Sequence, residues 1–95
     1  MIAPDNVIDR SPDLLDCMVG ADVVVMSVPT GMYYVLDGTA GYIWTALERP
    51  RSFGDLCHEL TERFDVDDAR CVRDVSDYLE RLAGDSIVRI VPQVS

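Results

Sequence analysis

Apolar positions between residues 14 and 36 fall in short runs. Leu14 to Val19, Asp22 to Val28 and Met32 to Leu36 are rich in Val, Met and Tyr, and are separated by Gly20-Ala21 and Pro29-Thr30-Gly31. This is strand punctuation. Parallel neighbours would need a crossover of about a dozen residues, so three strands joined this tightly predict an antiparallel meander. The period then changes. Ala40, Ile43, Trp44 and Leu47 fall on one face of a helix that is capped by Asp37 or Thr39 and ends before Pro50. Ser52 and Asp55 resemble a capping box, and Phe53, Leu56, Cys57, Leu60 and Phe64 continue at helical spacing as a second helix. Asp65-Val66-Asp67 offers a turn and a new cap. Val72, Val75, Leu79 and Leu82, widened by Cys71 and Tyr78, then make a third helix with Gly84 as its C-terminal cap.

Ser86 to Val91 reads as a last extended segment, closed by Pro92. The first residues, with Pro4 and Pro12 among scattered Asp and Ser, carry no sustained period. The expected organisation is a loosely ordered segment over 1–13, a single domain over 14–91 and a tail over 92–95. Strands and helices segregate along the chain, which describes an α+β fold: a three-stranded antiparallel sheet, three helices and a short C-terminal extended segment. The second and third helices could form a helix-turn-helix pair.

Composition narrows the function classes. The chain has 95 residues, 48% of them hydrophobic, which suits one small core rather than a disordered tail. Eight Lys+Arg against 17 Asp+Glu give a net charge of −9, a surface that repels phosphate backbones and anionic headgroups. Neither nucleic acid nor a membrane surface is an expected partner. The helix-turn-helix order keeps a winged-helix DNA-binding regulator as the alternative, but its third helix sets Arg70, Arg73 and Arg81 against Asp68, Asp74, Asp77 and Glu80. The longest apolar stretch, Val23 to Met26, is far short of the roughly 20 residues of a membrane helix. Asp5, Asp9, Asp13 and Asp16 stand where a secretory signal would place positive charge, so the expected location is cytoplasmic.

Chemistry-bearing residues are sparse. Cys17, Cys57 and Cys71 are odd in number and widely spaced, matching neither a disulfide framework nor a zinc motif. His58 directly follows Cys57, so on a helix the two point about 100° apart; only Cys71 could approach it, across the helix pair. Asp65, Asp67 and Asp68 lack the Gly and distal Glu of a calcium loop and read as helix caps. No glycine-rich phosphate loop or nucleophile elbow occurs. The expectation is therefore a protein with no catalytic residues, no metal and no cofactor. Tyr33 and Tyr34 are adjacent on a strand, so they point to opposite faces and one of them stands near the surface.

The string from Pro29 to Trp44 resembles the signature of the PqqD-like family, small peptide-binding proteins also called RiPP recognition elements. The family pattern continues through Ser52 to Phe64, Asp74-Val75, Tyr78-Leu79, Leu82 and Ser86-Ile87-Val88, so the likeness runs from about Leu14 to Val91. Asp37 stands for the usual Asn and Ser86 for the usual Gly of the ending. The resemblance implies a winged-helix-like fold whose third strand is an open edge beside the third helix. It also implies a non-catalytic protein that binds the leader of a ribosomally made precursor peptide by β-augmentation. The leader would then be delivered to a leader protease or tailoring enzyme, in a lasso-peptide pathway first and a quinone-cofactor pathway second. The peptide-binding residues it implies are Met32, Tyr33, Tyr34, Val35 and Leu36 on the strand and Cys71, Asp74, Val75, Tyr78 and Leu79 on the helix.

Overall fold

A computed structural model describes residues 2–92. Residue 1 of the expected entry segment and residues 93–95 of the expected tail lie outside the described residues. The meander forms as expected: β2 (Leu14–Val19), β3 (Asp22–Ser27) and β4 (Tyr33–Leu36) pair antiparallel in that order, following a strand β1 (Val7–Arg10). Alternation along β3 buries Val23, Val25 and Ser27 and turns Asp22, Val24 and Met26 outward. Helix α1 (Gly38–Ala46) lies against the inner face, close enough that a Cβ on Gly41 would meet the Leu36 carbonyl oxygen at 3.0 Å. A side chain there would press on that carbonyl, and glycine avoids the crowding.

A two-residue strand β5 (Arg51–Ser52) leads into α2 (Phe53–Phe64), then α3 (Asp68–Gly84) and β6 (Val88–Val91). The expected caps of α2 and α3 form: Ser52 Oγ accepts from the Asp55 amide at 3.2 Å, and Asp67 Oδ2 accepts from the Arg70 amide at 3.1 Å. The core joins Phe53, Leu56 and Leu60 of α2 to Leu79 of α3 and to Ile8 and Ile87.

Two expectations need correction. The described part of the expected loose segment, residues 2–13, is placed by a strand. β1 is the middle strand of a second sheet, ordered β5-β1-β6, and Ile8 is 0% exposed. The Asn6 and Pro4 carbonyls accept from the Phe53 and Gly54 amides at 2.8 and 2.9 Å, so the entry chain satisfies the first free donors of α2. Arg10 of β1 stacks 4.1 Å over the Trp44 ring and donates to the Trp44 carbonyl at 2.6 Å, while the Trp44 indole donates to Asp16 at 3.0 Å. That cluster ties β1, β2 and α1 together.

The end of α3 also differs. Gly84 belongs to the helix, and the left-handed residue after it is Ser86, at φ 62°. The Ser86 amide donates to Ala83 and the Ile87 amide to Leu82, the paired bonds of a Schellman ending. A side chain is strained there, so Ser86→Gly is expected to stabilise the domain by about 0.5–1 kcal/mol, read as a higher midpoint in thermal unfolding.

Candidate functional site

Among the described residues β4 has a neighbour on one side only, β3, so its other edge is open. The direction of its backbone groups follows from the hairpin. The Ser27 amide donates to the Met32 carbonyl at 2.9 Å, and on the other side of β3 the Val28 amide donates to Asp13 at 3.0 Å. Antiparallel pairs alternate, so Tyr34 and Leu36 bond to Val25 and Val23. Tyr33 and Val35 therefore direct their N–H and C=O groups to the open edge. Their side chains stand on the outer sheet face, 67% and 64% exposed, whereas Tyr34 packs on the core and Leu36 is buried.

The third helix approaches this edge at the β4–α1 junction. A cavity of about 650 Å3 opens there, with Thr39 on one side and Cys71, Asp74 and Val75 of α3 on the other. Leu60, Phe64 and Val66 complete an apolar lining, while Asp74 stands at its rim with Arg70, 3.5 Å away. Tyr78, one turn beyond Asp74, is half-buried. Burial first, and the Asp37 carboxylate second, push its hydroxyl pKa up to about 12. That hydroxyl has no hydrogen-bond partner among the described residues.

Of the expected binding residues, Cys71, Asp74 and Val75 line this cavity, Tyr78 lies one turn further along α3, and Met32 to Val35 lie at or beside the open edge of β4, outside the cavity. Leu36 and Leu79 do not present side chains to it. Leu79 is 0% exposed and belongs to the core beneath. Phe64 and Val66 were missed because the helical period assigns Phe64 to the core and Val66 to a turn. The left-handed Asp65 that ends α2, at φ 51°, accompanies the exposure of both at the cavity.

His58 is exposed and pairs with Glu62 at 2.8 Å, so it does not meet Cys71. Cys57 and Cys71 are buried side by side, the Cys71 thiol 3.9 Å from the Cys57 carbonyl. Burial, then the neighbouring Cys71 sulfur, pushes the Cys57 thiol up to about 12. Alkylation of the native protein at neutral pH is expected to modify Cys17 alone, and all three thiols after denaturation, as counted by mass spectrometry. The raised Cys57 pKa also implies stability that is full below the ordinary thiol value of 9.0 and is lost as pH rises toward 12. On α3, Arg70 and Arg73 both lie against Asp74, at 3.5 and 3.9 Å. Among the described residues no cluster of His, Cys, Asp or Glu could hold a metal, and no helix is long and apolar enough to cross a membrane.

Comparison with known proteins decides the family. Residues 22–88 match the family model described as coenzyme PQQ synthesis protein D, most of the chain including β4, α1, α2 and α3. The chain belongs to the PqqD family. As a PqqD-family RiPP recognition element it is a non-catalytic binding protein. Two solved structures share the PqqD-type fold. One, titled TbiB1 in complex with the TbiA(beta) leader peptide, is 23% identical, with a TM-score of 0.80 over 92% of this chain and 99% of that one. The other, a lasso peptide synthetase B1 complexed with the leader peptide, is 21% identical, with a TM-score of 0.77 over 86% and 96%. No curated protein matches the chain.

Proposed function

We propose that this PqqD-family protein binds the leader segment of a ribosomally made precursor peptide as an added strand on β4 and delivers it to a leader protease or tailoring enzyme. The observation that carries this reading is the open edge of β4, with outward groups at Tyr33 and Val35, together with an apolar cavity on α3 that Thr39 borders just beyond the strand. Main-chain bonds supply affinity in such an arrangement, and the cavity supplies selectivity for an apolar leader side chain. Asp74 at the rim suits a basic or polar leader group. A lasso-peptide pathway is the first assignment, supported by the fold shared with a lasso peptide synthetase B1 bound to its leader, and a quinone-cofactor pathway is the second.

A short extended leader buries less than a standard interface of about 1,600 Å2 and is ordered on binding, so the expected Kd lies in roughly the high-nanomolar to micromolar range. Titration calorimetry with the synthetic cognate leader tests this, and no heat of binding at roughly 100 μM would overturn it. Asp74→Ala is expected to weaken leader binding severalfold while changing stability by less than about 1 kcal/mol, since exposed charges contribute little to folding. Equal affinity in the two proteins would remove Asp74 from the site.

A further inference from the structure

Leu60, Cys71 and Val75, which line the apolar cavity on α3, are held by the core. Phe64 is not. It is the last residue of α2, 40% exposed, and the left-handed Asp65 and the exposed Val66 follow it, so the wall it forms has little of the core behind it. What stands behind it is Tyr42 of α1. The two rings meet edge to face, with centroids 5.3 Å apart and planes at 89°, a favoured arrangement for an aromatic pair. Tyr42 is itself fixed. Its hydroxyl donates to Glu59 Oε2 at 2.9 Å, the other oxygen of that carboxylate accepts from Arg51 of β5 at 3.1 Å, and the Arg63 guanidinium lies 5.4 Å over the ring. The bond from Tyr42 first, and Arg51 with it, hold the Glu59 carboxyl below the usual carboxylate range, so it is an ionised acceptor at neutral pH.

We infer that Tyr42 is a positioning residue for leader recognition: braced by Glu59 and Arg51, it sets the place of the Phe64 ring, and through that ring the width of the cavity that receives an apolar leader side chain. The inference rests on the proposed leader site and adds to it a residue of α1 that acts without lining the cavity. Two observations distinguish this from a brace that serves stability alone. The first is where the contact falls. Tyr42 is half-buried and Phe64 lies outside the core cluster, so their contact hides little apolar surface and contributes little to folding; its consequence is the position of a wall. The second is what the ring grips. Arg63 and Phe64 are consecutive, and both contact it, so Tyr42 holds the last turn of α2 where the chain enters Asp65, Val66 and Asp67, which also line the cavity. Cavity shape is therefore tied to α1, β5 and α2 through one phenol ring.

The test is a double-mutant cycle read on leader affinity. Tyr42→Leu, Phe64→Ala and the double variant are titrated with a fluorescein-labelled synthetic leader of the precursor encoded in the same gene cluster, and the thermal unfolding of each is recorded beside it. Tyr42→Leu is expected to weaken leader binding about threefold to tenfold, and Tyr42→Phe, which keeps the ring, to stay within about twofold of wild type. Once Phe64 is replaced by Ala, Tyr42→Leu is expected to change affinity by less than about twofold, because the residue through which it acts is gone. Effects that multiply, with Tyr42→Leu as costly in the Phe64→Ala background as in wild type, would overturn the inference and leave the leader site standing. So would unchanged leader affinity in Tyr42→Leu beside a lowered unfolding midpoint, the outcome of a purely structural brace. Should Tyr42→Leu fail to fold, the wild-type protein supplies a second reading. Tyr42 does not line the cavity, so a shift of its ring resonances as the leader is added reports on the Phe64 contact. Such a shift is expected, and a Tyr42 ring that stays silent at saturation would overturn the inference. A wild-type protein that binds no leader would instead overturn the leader site, and this inference with it.

Discussion

Tyr33→Pro and Val35→Pro are expected to abolish most leader binding while the domain stays folded, and Tyr34→Pro to unfold it. The contrast follows from one hairpin hydrogen bond. Since the Ser27 amide donates to Met32, the amides of Tyr33 and Val35 point away from β3, and proline there removes a donor that only an incoming strand would use. The pyrrolidine ring also obstructs the edge. Loss of a main-chain bond together with that obstruction is expected to weaken affinity by roughly tenfold to a hundredfold. At Tyr34 the amide belongs to the ladder with Val25 and the ring packs on the core, so the same substitution costs of the order of 3 kcal/mol. Circular dichroism and leader titration on the three variants, with Tyr33→Ala and Val35→Ala as controls for the side chains, read both effects. Equal leader affinity in Val35→Pro and Val35→Ala would contradict the assigned edge.

Removal of residues 1–13 is expected to prevent folding, although the sequence reads as a loosely ordered segment there. The truncation takes away β1, the middle strand between β5 and β6, together with the carbonyls that satisfy the first amides of α2 and the Arg10 guanidinium stacked on Trp44. Ile8→Ala isolates the packing component. Ile8 is fully buried, and losing its side chain is expected to cost about 2–5 kcal/mol, a large share of the stability of a domain this small. Chemical denaturation of Ile8→Ala against wild type measures it. A change below about 1 kcal/mol would mean that the entry segment only rests on the surface.

The meander, the three helices and two of their caps were legible because each carries a local signal: period-two runs with Gly or Pro between them, or a helical stripe behind Ser52 or Asp67. β1 was not legible for the opposite reason. Its four residues, Val7 to Arg10, alternate too briefly to register, and its partners Arg51–Ser52 and Val88–Val91 lie more than forty positions away in the chain. Only tertiary pairing makes it a strand. Asp16 illustrates the same limit, since a carboxylate on a strand looks solvated until the indole of Trp44 and the guanidinium of Arg10 arrive from elsewhere.

The candidate site was partly legible. Adjacent Tyr33 and Tyr34 announce a strand with an outward and an inward ring, and the structure assigns Tyr33 outward. Which backbone amides face the edge depends on hairpin register, which no side-chain pattern reveals. Leu79 was placed in the binding site because its stripe on α3 serves both core and cavity; burial divides that stripe, with Cys71 and Val75 reaching the cavity and Leu79 staying beneath.

Leader binding at the open edge of β4 is the central claim, and a backbone amide shift titration of isotope-labelled protein with the cognate leader tests it most directly. The largest changes are predicted at Tyr33 and Val35, whose amides gain a partner, with a second group at Cys71, Asp74 and Val75 around the cavity. Changes confined to β2 or α2, with Met32 to Leu36 and α3 silent, would contradict it.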